Sequence, residues 1–503
     1  MGVPVGGLAR VALALGGGLA TWLAFPPLGW WPLAIVGVAA LALAVRDQRA
    51  RRGAWLGALH GVAMFGPMLS WIAVLGPDTL VLLALLEGLF AAGLGATLAT
   101  TSRRPAWPVV AAGLWVGIEL LRAWVPFGGF PWGRLAFAQA DAPFASYAAY
   151  GGMALVTAVV ALTASLVAAG VVERGSRIWA GLSVAAVVAT GLLLPAPRPS
   201  QDDPVVSVAL VQGDVPGSGS DALGEARTVT RNHLAATEAL ADSVAAGDVP
   251  PVDVVIWPEN STDIDPFRDP ETRDVVEQAV DAVDVPILVG AILDGPGEQY
   301  RRTAGVVWDP RTGPDQEQIY VKRHPVPFGE YIPFREQLLP MIGRLEQVGR
   351  DTYAGEEPGL LEIAGTTFGD VICFEIAYDD IVRDVVDGGA EVLVVQTNNA
   401  TFAGSAQPEQ QFAISRLRAI ETGRTVLVAA TNGISGVIGP DGTVLERTAL
   451  GVRDVVVTSV VRTSDRTIAS RLGSWPEWIL TALGLAGLGA AVARRGRRDG
   501  TDA

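Results

Sequence analysis

Hydrophobic positions along this chain fall into two regimes. Up to about residue 195, apolar residues run nearly unbroken over lengths that match a membrane-crossing helix, roughly 20 residues, between short polar or basic loops. Seven such segments precede residue 196, at about 6–25, 30–45, 54–75, 79–100, 107–124, 144–171 and 177–194, and an eighth lies at about 475–493. The second is short enough to be tilted or half-inserted. The first does not read as a cleaved signal peptide, because no small-residue cleavage site leads into a polar region. From about residue 204 the pattern changes to short β-branched runs closed by turn residues: "VVSVALVQGD", "VDVVIWPEN", "VPILVGAIL", "TAGVVWDP", "GDVICFEIA", "EVLVVQTNN", "TVLVAATNG" and "VRDVVVTSVV". Helical stretches intervene at about 221–246, 270–283, 376–388 and 407–422. Near-continuous Val/Ile/Leu strands alternating with helices predict a layered α/β fold with both sheet faces covered. "GPDGTV" predicts a hairpin turn.

The expected organisation is a polytopic α-helical membrane domain (1–195, about seven helices), an α/β domain (196–474), a C-terminal membrane helix (475–493) and a basic tail (494–503). Loop charge sets the expected orientation. "RDQRARR" (46–52), "SRR" (102–104), "ERGSR" (173–177) and the terminal "RRGRR" fall on one side, whereas "PPLGWWP" and "GPDT" carry no Lys or Arg, and the loop 125–143 carries only Arg134. The excess of positive charge places the basic loops in the cytoplasm and residues 196–474 on the outer face of a bacterial inner membrane. Inside the spans, Glu119 and Arg122 stand three apart, share a helix face and are expected to pair, either structurally or at a lipid headgroup. Glu87 and His60 are weaker candidates. No repeat between halves and no broken-helix pair marks a transport site.

Composition narrows the chemistry. The chain has 503 residues, half of them apolar, and a net charge of −15, which argues against nucleic acid as a partner. Its single cysteine, Cys373, excludes an internal disulfide, and three scattered histidines with one cysteine argue against a zinc site. Of 37 Lys plus Arg, one is a lysine, Lys322. It follows the apolar "IYV", as Glu259 follows "VVIWP" and Cys373 follows "GDVI"; strand ends of this kind are where reactive groups converge in α/β folds. A free thiol is mostly protonated at neutral pH and needs a base or a cationic neighbour. His324 is one candidate partner. Glu259 as base with Lys322 as stabiliser of the thiolate and the oxyanion is the other, with the Phe374 backbone N–H as a second oxyanion donor. Lysine suits close work better than arginine because it is a compact point charge. The bland alternatives are a buried filler thiol, a loop carboxylate and a surviving surface lysine.

The order Glu, Lys, Cys resembles the nitrilase (carbon–nitrogen hydrolase) superfamily, which implies a four-layer αββα sandwich. With spans on both sides, the whole chain is similar to the apolipoprotein N-acyltransferases, through "GGFPWGRLAFAQ", "VQGDVP", "WPEN", "VKRHPVPFGEYIP", "CFE", "RLRAIETGR" and "TNGISGVIGPDG". The resemblance implies Glu259 as general base, Lys322 as oxyanion stabiliser, Cys373 as nucleophile, and Glu330 and Glu375 as supporting acids. It implies a phospholipid acyl donor, a diacylated apolipoprotein acceptor, a lipid bilayer around the spans, and no cofactor. Phe374 replaces the family's usual Tyr, and tryptophans usual near "VPGSGSDALG" and at Thr401–Phe402 are missing, so acyl-chain or headgroup preference is expected to differ.

Both substrates implied by the resemblance are lipid-anchored, so "YIPFREQLLPMIGRLEQVG" (331–349) is expected to be an amphipathic arm or lid, through Phe334, Leu338, Leu339, Met341, Ile342 and Leu345. The loop holding Trp124, Phe127, Phe130 and Trp132 is expected at the membrane interface, with Trp132 a lipid-entry candidate. The rivals are a membrane-tethered amidase with the same triad and a non-enzymatic scaffold.

Overall fold

The computed structural model describes residues 6–104, 106–200, 202–215 and 226–499. The chain divides into two compact units: residues 1–196 with 467–503, and residues 197–466.

The first unit is helical: α1 (Gly7–Leu23), α2 (Pro32–Val45), α3 (Ala50–Met68), α4 (Pro77–Thr101), α5 (Trp107–Arg122), α6 (Ala148–Val172) and α7 (Arg177–Leu193), then Ile468–Leu472 and the C-terminal helix Trp475–Asp499. Among the described residues, three helical stretches are long and apolar enough to cross a membrane, Pro77–Thr101, Ala145–Val172 and Trp475–Arg494; the apolar helices Gly7–Leu23, Pro32–Val45 and Arg177–Leu193 are shorter. The unit resumes at Thr467, earlier than residue 475, because the short helix Ile468–Leu472 packs on α6. The C-terminal helix lies against α5 at a pair of glycines: a Cβ on Gly113 would fall 2.4 Å from the Leu480 carbonyl oxygen, and one on Gly484 would fall 2.6 Å from the Gly113 carbonyl carbon. Only residues without side chains let two helix backbones approach this closely.

At one end of this unit the basic loops meet. Arg46 pairs with Glu173 at 2.8 Å, Arg103 with Asp47 at 2.9 Å, and Arg104 donates to the Ala490 carbonyl of the C-terminal helix.

The buried charges are partnered differently from the expected Glu119–Arg122 pair. Arg122 pairs with Glu87 at 2.7 Å and donates to the Phe130 and Trp132 carbonyls. Glu119 takes hydrogen bonds from the Leu135 N–H (2.8 Å) and Thr157 Oγ1 (2.7 Å) and lies 3.6 Å from Arg134 Nε, while Arg134 Nη2 reaches Glu477 at 3.4 Å. Helix spacing brings Glu119 and Arg122 to one face, but the loop after α5 folds back and supplies nearer partners. Two arginines thereby staple that loop into the bundle. Trp132, expected at the interface, is 1% exposed and packs edge-on against Trp71, whereas Trp124 is 58% exposed. His60 and Glu87 are also buried.

The second unit is an αββα sandwich. One sheet runs β13-β1-β2-β3-β4-β5, with β6 on β4; the other runs β12-β11-β10-β9-β8-β7. The strands are β1 (Val205–Gln212), β2 (Val254–Ile256), β3 (Ile287–Asp294), β4 (Tyr300–Asp309), β5 (Gly313–Val321), β6 (Asp351–Thr352), β7 (Leu360–Ile363), β8 (Thr366–Ile372), β9 (Val392–Thr397), β10 (Thr425–Ala430), β11 (Gly436–Ile438), β12 (Val444–Arg447) and β13 (Asp454–Val461). The helices are α8 (Thr228–Ala246), α9 (Pro270–Val283), α10 (Arg335–Leu338), α11 (Asp379–Asp387) and α12 (Gln407–Thr422). Strand alternation explains the unbroken apolar runs. In β1, Val206, Val208 and Leu210 enter the core between the sheets with Phe368, Ile372, Val394 and Leu427, while Ala209 and Val211 face Ala236 and Leu240 of α8. Buried Ile381 and Val385 on α11, and Ile414 and Leu417 on α12, cover the second sheet. The "GPDGTV" hairpin joins β11 to β12.

The segment 331–349, expected as an arm or lid, is built of two short helical pieces. It holds the single turn α10 and a 3-10 stretch, Gly343–Val348, because Pro340 and Gly343 break the amphipathic pattern and Phe334 has φ +53°. Phe334 (65%) and Met341 (78%) are exposed, Leu338, Leu339 and Ile342 are half-buried, and Leu345 is buried. The start of the helix expected at 221 lies outside the described residues, as does most of the "VPGSGSDALG" stretch.

Replacing Arg134 by Met leaves Glu119 buried without its cation. The expected loss is about 3 kcal/mol or more, read as a lower unfolding midpoint of the detergent-solubilised protein. Adding Glu119→Gln should recover part of it, since removing both charges is cheaper than stranding one.

Candidate active site

Four strand ends of the second unit converge. β2 runs through Trp257 and Pro258 to Glu259. Its neighbour β3 carries Gly290, where a Cβ would lie 2.0 Å from the Pro258 carbonyl oxygen, so a glycine lets the Glu259 segment seat against the strand. β5 leads directly into Lys322, whose backbone is held on both sides, N–H to the Thr303 carbonyl and C=O to the Gly355 N–H, each at 2.9 Å. β8 leads directly into Cys373, which turns in the left-handed region at φ +58° and starts the 3-10 turn Cys373–Ala377. A non-glycine residue rarely holds this backbone; here it forms an elbow that sets the side chain apart from the strand. β9 ends at Thr397, followed by Asn398.

The side chains meet as follows. Lys322 Nζ lies 3.0 Å from Glu259 Oε1 and 2.7 Å from Glu330 Oε1, and its side chain is buried. Glu259 Oε2 accepts the Asn398 N–H at 2.9 Å, and Glu330 Oε2 accepts the Val326 N–H at 2.6 Å. Thr397 Oγ1 donates to Cys373 Sγ at 3.3 Å. Glu259, Lys322 and Glu330 therefore form one ionic cluster.

Glu375 plays a different part. Fully buried, it accepts four hydrogen bonds: Arg323 N–H (2.7 Å) and His324 N–H (2.9 Å) on one oxygen, Tyr320 hydroxyl (2.8 Å) and Ile372 N–H (2.8 Å) on the other. It bolts the segment carrying Lys322 to the elbow carrying Cys373. His324, the other candidate partner of the thiol, is occupied elsewhere. Its ring stacks on Tyr378 at 4.3 Å, and its Nε2 lies 3.5 Å from Asp380. Phe374 is buried beside the same Tyr378. Among the described residues no cluster of His, Cys, Asp or Glu fits a metal ion.

The electrostatics follow from burial and an uneven charge count. Burial raises Glu259 above the usual carboxylate range; Lys322 pulls it back and the charge of Glu330 adds to the rise. Burial lowers Lys322, but Glu259 and Glu330 outweigh it and hold the ammonium well above its usual value. The thiol of Cys373 is pushed up to about 12, by burial first and then by Glu259, against the pull of Lys322 and the Thr397 hydroxyl. One cation between two carboxylates leaves no surplus positive charge for a thiolate. Nearby Asp370 is buried with both oxygens unpartnered, and burial raises it well above the usual carboxylate range.

Sequence reasoning located the cluster residues but passed over Thr397 and Gln411, which meet at 3.0 Å beside the thiol. Thr397 carried the same signal as the others, a polar residue directly after an apolar strand. Gln411 carried none, being one of several amides on α12.

Because the thiol starts protonated, alkylation of Cys373 by iodoacetamide should rise about tenfold per pH unit from pH 7 to 9 without a plateau; the chain's single cysteine makes intact mass a direct readout. Glu375→Gln turns an amide NH₂ toward N–H and O–H donors. It should lower stability by roughly 2–3 kcal/mol, measured by thermal unfolding.

Residues 17–166 match the family described as Apolipoprotein N-acyltransferase N-terminal domain, and residues 207–468 match Carbon-nitrogen hydrolase. The chain is 36% identical to an apolipoprotein N-acyltransferase of Mycolicibacterium smegmatis, over 97% of this chain and 86% of that protein. It is 30% identical to one of Vibrio cholerae, over 93% of this chain and 95% of that protein. Among solved structures, an amidase of the nitrilase superfamily from Nesterenkonia AN1 aligns with a TM-score of 0.37 at 18% identity, covering 55% of this chain and 95% of that chain.

Proposed function

The chain belongs to the apolipoprotein N-acyltransferase family, and from that premise we propose a two-step acyl transfer to lipoproteins through Cys373. Glu259 takes the thiol proton. The sulfur attacks the sn-1 ester carbonyl carbon of a membrane phospholipid, forming C–S. Lys322 and the Phe374 N–H hold the oxyanion. The ester C–O bond breaks, and the leaving alkoxide takes the proton from Glu259 and departs as lysophospholipid. The neutral α-amino group of a diacylglyceryl-cysteine lipoprotein then attacks the thioester, forming C–N. Glu259 accepts the amine proton, C–S breaks, and the thiol is restored.

The observation that supports this reading is the elbow at Cys373, whose thiol feels the charges of a lysine clamped by two carboxylates. The raised thiol fits a nucleophile that is ionised only when a base removes its proton at the moment of attack. Glu330 keeps Lys322 charged and placed, and Glu375 fixes the elbow. The exposed Phe334 and Met341, with Leu338, Leu339 and Ile342 beside them, suit an apolar rim that lipid tails contact. The gathering of basic loops at one end of the helical unit supports an orientation with that end in the cytoplasm and the sheet unit outside the inner membrane.

Intact-protein mass spectrometry after incubation with phospholipid tests the reading. The wild type should gain one hydroxylamine-labile acyl mass and lose it to an added diacylated lipopeptide, and Cys373→Ala should gain none. Loss of the adduct to water alone, with no acylated lipopeptide, would instead mark an amidase-like hydrolase.

A further inference from the structure

The thiol of Cys373 has a donor outside the Glu–Lys–Cys set. Thr397 Oγ1 lies 3.3 Å from Sγ. A hydroxyl has one proton, and this one has two acceptors within reach, Sγ and Gln411 Oε1, each at 3.3 Å. The surroundings decide between them. Gln411 Oε1 already accepts from Asn399 Nδ2 and Gln407 Nε2, both at 2.9 Å, which uses both lone pairs. Asn399 Nδ2 also donates to Gln407 Oε1 at 2.8 Å. The two N–H bonds of Gln411 Nε2 point to the Cys373 carbonyl (3.2 Å) and to Thr397 Oγ1 (3.0 Å). With Gln411 donating to the hydroxyl oxygen and its own oxygen filled, the Thr397 proton is directed at the sulfur. Thr397, Gln411, Gln407 and Asn399 are buried and Cys373 is half-buried, so the amide network that aims the hydroxyl lies away from water.

We propose that Thr397 is a catalytic residue of this acyl transfer, a hydroxyl donor locked onto the reacting sulfur by the amides of Gln411, Gln407 and Asn399. It acts twice. In the first step it holds the sulfur as the proton passes to Glu259 and the C–S bond forms. In the second it receives the sulfur as the amine expels it, when negative charge returns to Sγ. In the thioester between them the sulfur is a weak acceptor, so the bond matters most in the two transition states. Gln411, Gln407 and Asn399 are positioning residues. The inference rests on Cys373 being the nucleophile.

The test uses the full-length protein in lipid nanodiscs, with Thr397→Val, Thr397→Ala and Thr397→Ser. Two rates are read by intact mass: alkylation of Cys373 by iodoacetamide at pH 8, and acyl loading from phospholipid. Val and Ala should slow both about tenfold, the size expected for losing a hydrogen bond to a charged group, and Ser should restore both. If Val does not fold, Ala decides, since it adds no methyl group. Folded Val or Ala variants with wild-type rates overturn the proposal, and so does Ser failing to rescue, which marks a packing role. Cys373→Ala is run in parallel: if it still transfers acyl chains, the nucleophile assignment fails and this inference with it. If it is dead while the Thr397 variants are unaffected, this inference alone fails.

Discussion

One buried ammonium organises the catalytic unit. Lys322 sits between Glu259 and Glu330 at hydrogen-bond distance from both. A charge in a protein interior is tolerated only with partners, and removing a partner leaves a desolvated ion worth about 3–5 kcal/mol of instability. That constraint fixes the loop from Lys322 to Glu330, the seat of Glu259, and the charge felt by the thiol. It also accounts for the composition. Elsewhere the chain uses arginine for positive charge. A planar guanidinium with five N–H groups would demand more acceptors than two carboxylate oxygens supply.

The second theme is that carboxylates join the two sheets. Glu259 comes from the end of β2 and accepts the Asn398 N–H beyond β9, 139 residues away in the chain. Glu375 comes from the turn after β8 and grips two backbone N–H groups after β5. Each spans the sandwich at the rim where the reacting groups must meet. The apolar core between the sheets sets their spacing, and these charge-assisted bonds fix the register of the strand ends to within the tolerance that catalysis needs.

Legibility followed locality. The sandwich was readable because each strand carries its burial in its own residues, as β1 does with valines facing both layers. Glu259, Lys322 and Cys373 were readable because each stands at a strand end in a stretch with family character. What the sequence hid were partnerships. Glu119 and Arg122 satisfy the helix-spacing rule, yet Arg134 and Glu87 are nearer once the loop after α5 folds back. Trp132 looked interfacial because its neighbours are aromatic, yet two arginines tie its loop inward. The segment 331–349 had an amphipathic face, but Pro340 and Gly343 outweighed the pattern. Gln411 could not be found at all, because its role depends on which way one amide of several points.

The pairing of β1 with β13 sets Val205 opposite Val461. The first and last strands of the sheet unit are thus neighbours, and the chain enters and leaves it at one place. Such a unit behaves as a cassette. The entropy of closing a loop depends on how its ends are held, and here the sheet holds them side by side, so the helical unit bears little penalty for the long interruption between residues 196 and 467. A fold with adjoining ends can be spliced into a turn of another protein, or circularly permuted, without unpicking its hydrogen-bond ladders. A helical bundle can therefore carry a thiol-bearing sandwich as an insertion at a single point, with neither core rebuilt.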